Sequence, residues 1–313
     1  MKKAYILKIL IIFSFGENFI LFLKRKNKKN EIIDDIDVNI LYHIQNKIQP
    51  FIEQSWNEEK FLNGIIRRIK PKKILEIGVS AGGSSSIILN AIKDIPKAKL
   101  YSVDRYKKWY KNNHKEVGWL VKEYFPELLD KWILFTGGNV AEYIDYIGNN
   151  IDLVYIDTIH RTPGEMINWL EVLPFLKKDA VVIFHDVFLM FIGDYSKKPN
   201  TNFSNNQLIC YIRGKLILPA YGNKVFDRNI AAIKLEKNQK DYYEQYFLAL
   251  GNQWHYLPNQ QDFEILRKHF LKYYGKIFAE IFEEAYEKNN IRLKEKNITN
   301  NISYNEFINY NYK

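Results

Sequence analysis

Between Lys73 and Asp186, short apolar runs recur at regular intervals, separated by stretches whose apolar residues fall three and four positions apart. KILEIG, KLYSVD, WILFTG, IDLVYID and AVVIFHD are brief and mostly apolar on both alternating sets of positions. Such runs read as strands buried on both faces. SSSIILNAIKDI, VAEYIDYIG and PGEMINWLEVLPFL carry the spacing of amphipathic helices, and the Lys/Tyr/Trp-rich stretch after KLYSVD reads as helix-like too. Strand and helix in alternation predict βαβ units and a parallel sheet, and right-handed crossovers make that sheet doubly wound. The fold class is α/β.

The flanks differ. Ile40, Ile44 and Ile48, then Phe51, Phe61, Ile65 and Ile66, predict a helical cap over residues 31–70, closed by Pro71. NIAAIKL, residues 229–235, reads as a late strand joining a sheet edge. The chain thus divides into an arm (1–30), the cap (31–70), a core (71–235), a helical C-terminal extension (236–290) and a polar tail (291–313), without internal repeats.

Charge changes the picture only at one end. Of a net +10, residues 1–30 hold eight Lys and Arg against Glu17, so the body is nearly balanced and nucleic acid is not an expected partner. Residues 4–23 are long enough to span a bilayer, but Lys8 and Glu17 interrupt them, and a charge near a span's centre costs roughly 2.5–3.5 kcal/mol. Two readings stay open for the arm. It packs on the body or on a second subunit, making a homo-oligomer, or it lies in the inner membrane interface with LKRKNKK against anionic lipid. The single cysteine, Cys210, excludes an internal disulfide and fits the cytoplasm.

Candidate chemistry begins at ILEIGVSAGGSSS, the turn between the first strand and the first helix. In a doubly wound sheet, ligands bind at the carboxyl ends of the strands. The glycines allow close backbone approach, the helix N-terminus attracts an anionic group, and Ser84, Ser85 and Ser86 suit the helix start as caps. Glu76 inside the strand and the wide Gly78-x-x-x-Gly82-Gly83 spacing depart from the dinucleotide fingerprint G-x-G-x-x-G, which argues against a dehydrogenase. Asp104 ends the second strand, where a carboxylate can take ribose hydroxyls. Asp157 ends the fourth strand and His185-Asp186 the fifth, so three acid-bearing tips converge on one crevice.

ILEIGVSAGG, SVD, the Asp157-Thr-Ile-His160 turn and VVIFHD together resemble the class I S-adenosylmethionine-dependent methyltransferases. More narrowly, they are similar to the group related to bacterial sugar and macrolide O-methyltransferases and cephalosporin-hydroxylase-like proteins, over residues 50–235. The resemblance implies a mostly parallel, seven-stranded Rossmann-like sheet and S-adenosylmethionine as cofactor. It implies that Glu76, Gly78 and Gly82 hold the methionine end, with Ser84 at the helix start and Asp157 across the crevice. Asp104 would hold the ribose and Gly137-Gly138-Asn139 would lie by the adenine. Relatives commonly show Asp-Gly-Asp-His after the fourth strand; here Ile159 replaces the second acid.

Methyl transfer from a sulfonium needs an aligned, deprotonated acceptor. His160 or His185 is a candidate general base, with Asp186 beside it, or Mg2+ held by Asp157 and Asp186 lowers a hydroxyl's pKa. The plainer alternatives are that Asp157 and Asp186 bond local backbone and that His185 packs. Arg161 and Glu165 are close enough in sequence to reach the crevice; His43, His114, His255 and His269 read as surface or structural, and Tyr106, Trp109 and Tyr110 as a wall for a substrate or the adenine or, more plainly, as a helix packing face. The expected acceptor is a hydroxyl of a sugar, glycan intermediate or related small molecule. A hydroxylase-like protein or a non-catalytic protein at a membrane surface is the alternative. The acceptor pocket would be built by the cap, the 187–228 insertion and the C-terminal helices.

Overall fold

A computed structural model describes residues 38–187, 204–219, 229–236 and 238–295. The basic arm, with its two readings, lies outside the described residues, as do part of the insertion and most of the tail. No helix among the described residues is long and apolar enough to cross a membrane.

Seven strands form one sheet: β1 (Lys73–Ile77), β2 (Lys99–Asp104), β5 (Trp132–Thr136), β6 (Ile151–Ile156), β7 (Leu176–His185), β8 (Gly214–Ile217) and β9 (Ile230–Leu235). Their order is β5-β2-β1-β6-β7-β9-β8. The first five pair in parallel, while β9 runs antiparallel to β7 and β8 antiparallel to β9. The chain winds outward from β1 to β5, then returns to β6 on the other side of β1. That reversal opens a crevice at the carboxyl ends of β1 and β6.

Side chains on one strand alternate between two cores. Ile74, Leu100 and Tyr155 face a core shared with α1 (Val38–Ile48), α2 (Trp56–Ile69), α3 (Gly83–Ile92) and α4 (Trp119–Tyr124). Leu75, Val154 and Phe184 face the other, shared with α5 (Val140–Ile147), α6 (Gly164–Val172) and the C-terminal helices α8 (Tyr243–Leu248), α9 (Gln260–Tyr274) and α10 (Lys276–Glu295). A short α7 (Ser204–Tyr211) precedes β8. Two-sided burial explains why the strands are nearly continuous apolar runs.

Three expectations need correction. The Lys/Tyr/Trp-rich stretch after β2 is a hairpin, β3 (Lys108–Trp109) and β4 (Asn112–Glu116), followed by the short helix α4. Trp109 packs there edge-on against Phe51, with ring centroids 6.2 Å apart, rather than on a helix face. The stretch is rich in aromatics and has Asn112-Asn113 in its middle, which suit strand and turn, and it lacks a sustained apolar stripe. β9 is interior, because β8, four residues inside the insertion, takes the edge. Ser84, Ser85 and Ser86 do not cap α3, whose N-cap is Gly82 in a left-handed conformation with no side-chain bond.

Candidate functional site

Backbone geometry sets the crevice. Gly78 has φ +87°, and a Cβ there would lie 1.8 Å from the Asp157 carbonyl oxygen, so the β1 and β6 turns touch and only glycine fits. Ser80 and Gly82 also adopt positive φ as the chain swings into α3. Asp104 holds this turn in place: its Oδ2 accepts the Val79 and Ser80 amides at 2.9 and 3.0 Å, and its Oδ1 accepts the Tyr106 amide at 2.8 Å. Burial raises the Asp104 pKa against the pull of those three donors.

Glu76 lies beneath the turn rather than in it. Ser84 donates to its Oε1 at 2.7 Å, and Ser85 and Ser102 donate to its Oε2 at 2.6 Å. Both oxygens therefore face serines. Burial pushes the Glu76 pKa up to about 7, opposed by those hydroxyls.

At the tips of β6 and β7, Asp157, His160 and Asp186 each present one ligand atom within 4.8 Å of the others, a geometry able to hold a metal ion. His160 Nε2 is 2.9 Å from Asp186 Oδ2 and 3.5 Å from Asp157 Oδ1, while its Nδ1 faces Glu165 Oε1 at 3.1 Å. His185 Nδ1 is 3.4 Å from both Asp157 and Asp186. Behind it, Glu58 from the first turn of α2 lies 3.4 Å from His185 Nε2. Asn229 donates to Asp186 Oδ1, and Tyr155 donates to Asp157 Oδ2 at 3.0 Å.

His160 and Asp186 both sit at φ +56°, a left-handed conformation that non-glycine residues occupy at a cost of order 1 kcal/mol or more. Burial would lower the pKa of each histidine, but the carboxylates outweigh it and hold both imidazoles well above their ordinary value. Burial would raise the acids, yet the two histidines hold Asp157 below and Asp186 well below the usual carboxylate range.

These elements border one cavity of about 470 Å³. Gly78, Ser84, Asp104, Asn139, Asp157 and His160 line it. Glu76, Gly82, His185 and Asp186 are not among its lining residues. Asn139 caps α5 in a reciprocal pair with Glu142.

A family model described as a methyltransferase domain matches residues 75–187. Residues 75–187 are thus similar to a methyltransferase domain. Curated proteins include no match to it. Solved structures similar to the chain include the O-methyltransferase TomG of Streptomyces achromogenes, involved in tomaymycin synthesis and bound to S-adenosylmethionine. It is 17% identical over 71% of this chain and 97% of that one, with TM-score 0.45. The S-adenosylhomocysteine-bound methyltransferase PaMTH1 of Podospora anserina is 16% identical over 64% and 89%, with TM-score 0.45. An O-methyltransferase from Bacillus cereus, in complex with S-adenosylhomocysteine, is 16% identical over 63% and 89%, with TM-score 0.44.

Around the methyltransferase domain, the flanking segments complete the cavity. Gln54 lines it from the cap and donates to Tyr155 Oη at 3.3 Å. From the other side, His255, Tyr256, Asn259 and Asp262 line it, on the segment leading into α9. Asp262 Oδ1 accepts from Asn139 Nδ2 at 2.7 Å, and its Oδ2 pairs with Arg105. Buried Glu171 from α6 adds another lining carboxylate, its pKa pushed up by burial to about 7.

None of Gln54, Glu58, Tyr256, Asp262 or Glu171 was singled out in the sequence; Glu58 alone carried a local signal, as the fourth residue of the S-x-x-E capping box at Ser55. His255, expected at the surface or in a structural role, lines the cavity and lies 3.0 Å from Thr162 Oγ1 through its Nδ1. Arg161 and Glu165 are both buried, and Glu165 reaches the site through His160.

Proposed function

We propose that this methyltransferase moves the methyl group of S-adenosylmethionine to a hydroxyl of a small molecule, sugar or glycan intermediate. The observation that carries the reading is the junction of two features in one cavity. Five acids line it, Glu53, Asp104, Asp157, Glu171 and Asp262, against the cations Arg105 and Lys108, and that excess of acids suits a cationic sulfonium donor. It opens onto His160 and Asp157, where a hydroxyl proton must go.

In the transfer, an acceptor oxygen forms a bond to the methyl carbon as the sulfur–carbon bond breaks, leaving a neutral thioether. The hydroxyl proton has to leave in the same event. His160 and His185 are poorly suited as resting bases, since their carboxylate neighbours keep them protonated. Asp157, His160 and Asp186 would hold a divalent cation, since two carboxylates and an imidazole converge, with Glu165 at His160 Nδ1 to orient the ring. When bound, such a cation supplies positive charge that lowers a nearby hydroxyl's pKa. The chain's own part is to hold the acceptor by Asp157 and His160, with the segment from His255 to Asp262 walling the cavity.

Titration calorimetry with S-adenosylmethionine, followed by mass spectrometry of hydroxyl compounds incubated with it, tests the proposal. Binding below millimolar and a mass gain of one methyl group are expected; no binding sinks it. Asp104→Ala should weaken cofactor affinity about tenfold or more with the circular dichroism spectrum unchanged, because the Val79 and Ser80 amides of the turn and the Tyr106 amide after β2 lose their acceptor. Unchanged affinity would place the ribose elsewhere.

Metal affinity should depend on pH in one direction. His160 must lose a proton that its folded environment holds tightly, so Mn2+ affinity should rise with pH, about tenfold per unit below the His160 pKa. Calorimetry with Mn2+ at pH 6, 7 and 8 checks this, and a flat profile would remove His160 from the ligand set.

A further inference from the structure

Phe51, Glu53 and Gln54 carry the cap to the cavity wall, just ahead of α2. In Gln54 the two ends of the amide fare differently. Its Nε2 donates to Tyr155 Oη at 3.3 Å and to Asp157 Oδ2 at 3.5 Å, and Tyr155 Oη donates to the same Asp157 oxygen at 3.0 Å. Its Oε1 is shut away from solvent and has no hydrogen-bond partner among the described residues. Turning the amide over would set its carbonyl against the Asp157 carboxylate, so the nitrogen belongs on that side.

A buried carbonyl without a donor destabilises the chain, and a ligand that brings the donor relieves it. The surroundings of Oε1 say which ligand group that is. A Cβ on Gly83 would lie 3.6 Å from Oε1 and 3.6 Å from Ile52 Cα, so residues 52–54 lie over the start of α3. Gln54 thus spans from the tip of β6 to the first turn of α3, and Gly83 and Ser84 line the same cavity.

Two opposite preferences meet there. The first amides of α3 lack intrahelical acceptors and favour an anionic group. The Gln54 carbonyl and the Asp157 carboxylate favour a cationic donor of hydrogen bonds beside it. The amino-acid end of S-adenosylmethionine carries that pair, a carboxylate and an ammonium on one carbon. We infer that Gln54 holds the amino-acid end of the methyl donor, its Oε1 accepting from the α-ammonium. This rests on the methyl-transfer reading above and brings to the donor site a residue from outside 75–187. A strut that only steadies Tyr155 and Asp157 would use Nε2 and leave Oε1 unexplained.

Calorimetry on the full chain tests this with three ligands: S-adenosylhomocysteine, its analogue without the α-amino group, and 5′-methylthioadenosine, which lacks the whole amino-acid end. The unmodified protein should bind S-adenosylhomocysteine about tenfold or more tighter than the desamino analogue, because bonds to charged groups are the strong ones. Gln54→Met, similar in length and without the carbonyl, should weaken S-adenosylhomocysteine about tenfold or more and leave the other two within about twofold. Gln54 precedes Ser55, the N-cap of α2, so the change interrupts no helix, and Gln54→Ala repeats the measurement with a shorter side chain.

The inference is overturned if both variants weaken all three ligands alike, as loss of a strut would. It is overturned equally if they leave S-adenosylhomocysteine within twofold, or if the unmodified protein binds the desamino analogue as tightly. Failure of the unmodified protein to bind any of the three would instead overturn the methyl-transfer reading itself.

Discussion

Asp186→Asn is expected to lower turnover about a hundredfold or more while leaving S-adenosylmethionine affinity within a few-fold. The residue is not among those lining the cavity, so the cofactor should feel little of the change. The reacting groups should feel all of it. Asp186 Oδ2 is 2.9 Å from His160 Nε2, and the two nearby histidines keep the acid ionised well below its ordinary range. A neutral amide of the same shape removes that charge from His160, leaving Glu165 and Asp157 as its acidic neighbours. Losing one member of such a proton-transfer or ligand set commonly costs a factor of 10² to 10⁴, on an order-of-magnitude basis.

Two readouts separate this role from a structural one. With Asp186 neutral, the His160 pKa falls, so the rising limb of the pH–rate profile should move to lower pH for whatever activity remains. Mn2+ affinity should drop as well, because one of three ligand atoms is weakened. An unchanged turnover, or a loss explained wholly by a lower melting temperature, would remove Asp186 from the mechanism.

Glu76 yields the second large effect, on stability. Glu76→Ala strands the hydroxyls of Ser84, Ser85 and Ser102 without their acceptor and opens a void under the turn. Leaving buried hydroxyls without an acceptor beside a new void costs roughly 3–5 kcal/mol in sum. At about 2–4 °C per kcal/mol, the melting temperature should fall by roughly 10 °C, measurable by scanning calorimetry.

Glu76→Gln keeps the shape and changes the pH dependence. The Glu76 pKa is about 7 in the folded protein and 4.5 as its reference, so the unfolded chain gives up this proton first. On this group's account, stability is highest below pH 4.5 and declines as pH rises towards 7, by an amount bounded at about 3 kcal/mol. The glutamine variant should therefore lose less stability than the parent between pH 5 and 7. Cofactor affinity in Glu76→Gln should stay within a few-fold, since both carboxylate oxygens face serines; a large loss would mean that Glu76 contacts the ligand directly.

The β1 turn was legible because its constraints are local. Gly78 is demanded by a neighbour less than 2 Å from its absent Cβ, and the apolar run before it is demanded by burial on both faces. Asp104, Asp157 and His185-Asp186 were visible for the same reason, as polar residues ending apolar strands. The hairpin was not. Tyr106, Trp109 and Tyr110 have spacing compatible with a helix, and only their contacts with Phe51 and Glu53 from the cap select the alternative. β8 was missed because GKLI is four residues long and gains its strand character from pairing with β9.

By itself the sequence determined the five parallel strands, the helices after the first, third and fourth of them, and the place of the crevice, since periodicity, glycine sterics and strand-end acids act over a few neighbouring residues. Tertiary structure alone decided which atoms those residues offer. It turned both Glu76 oxygens to serines, set His160 between Asp186 and Glu165, and brought Asp262 from the C-terminal extension onto Asn139. Residues 139 and 262 are 123 positions apart, and no short-range pattern encodes a contact at that separation. Such contacts follow from how whole layers pack.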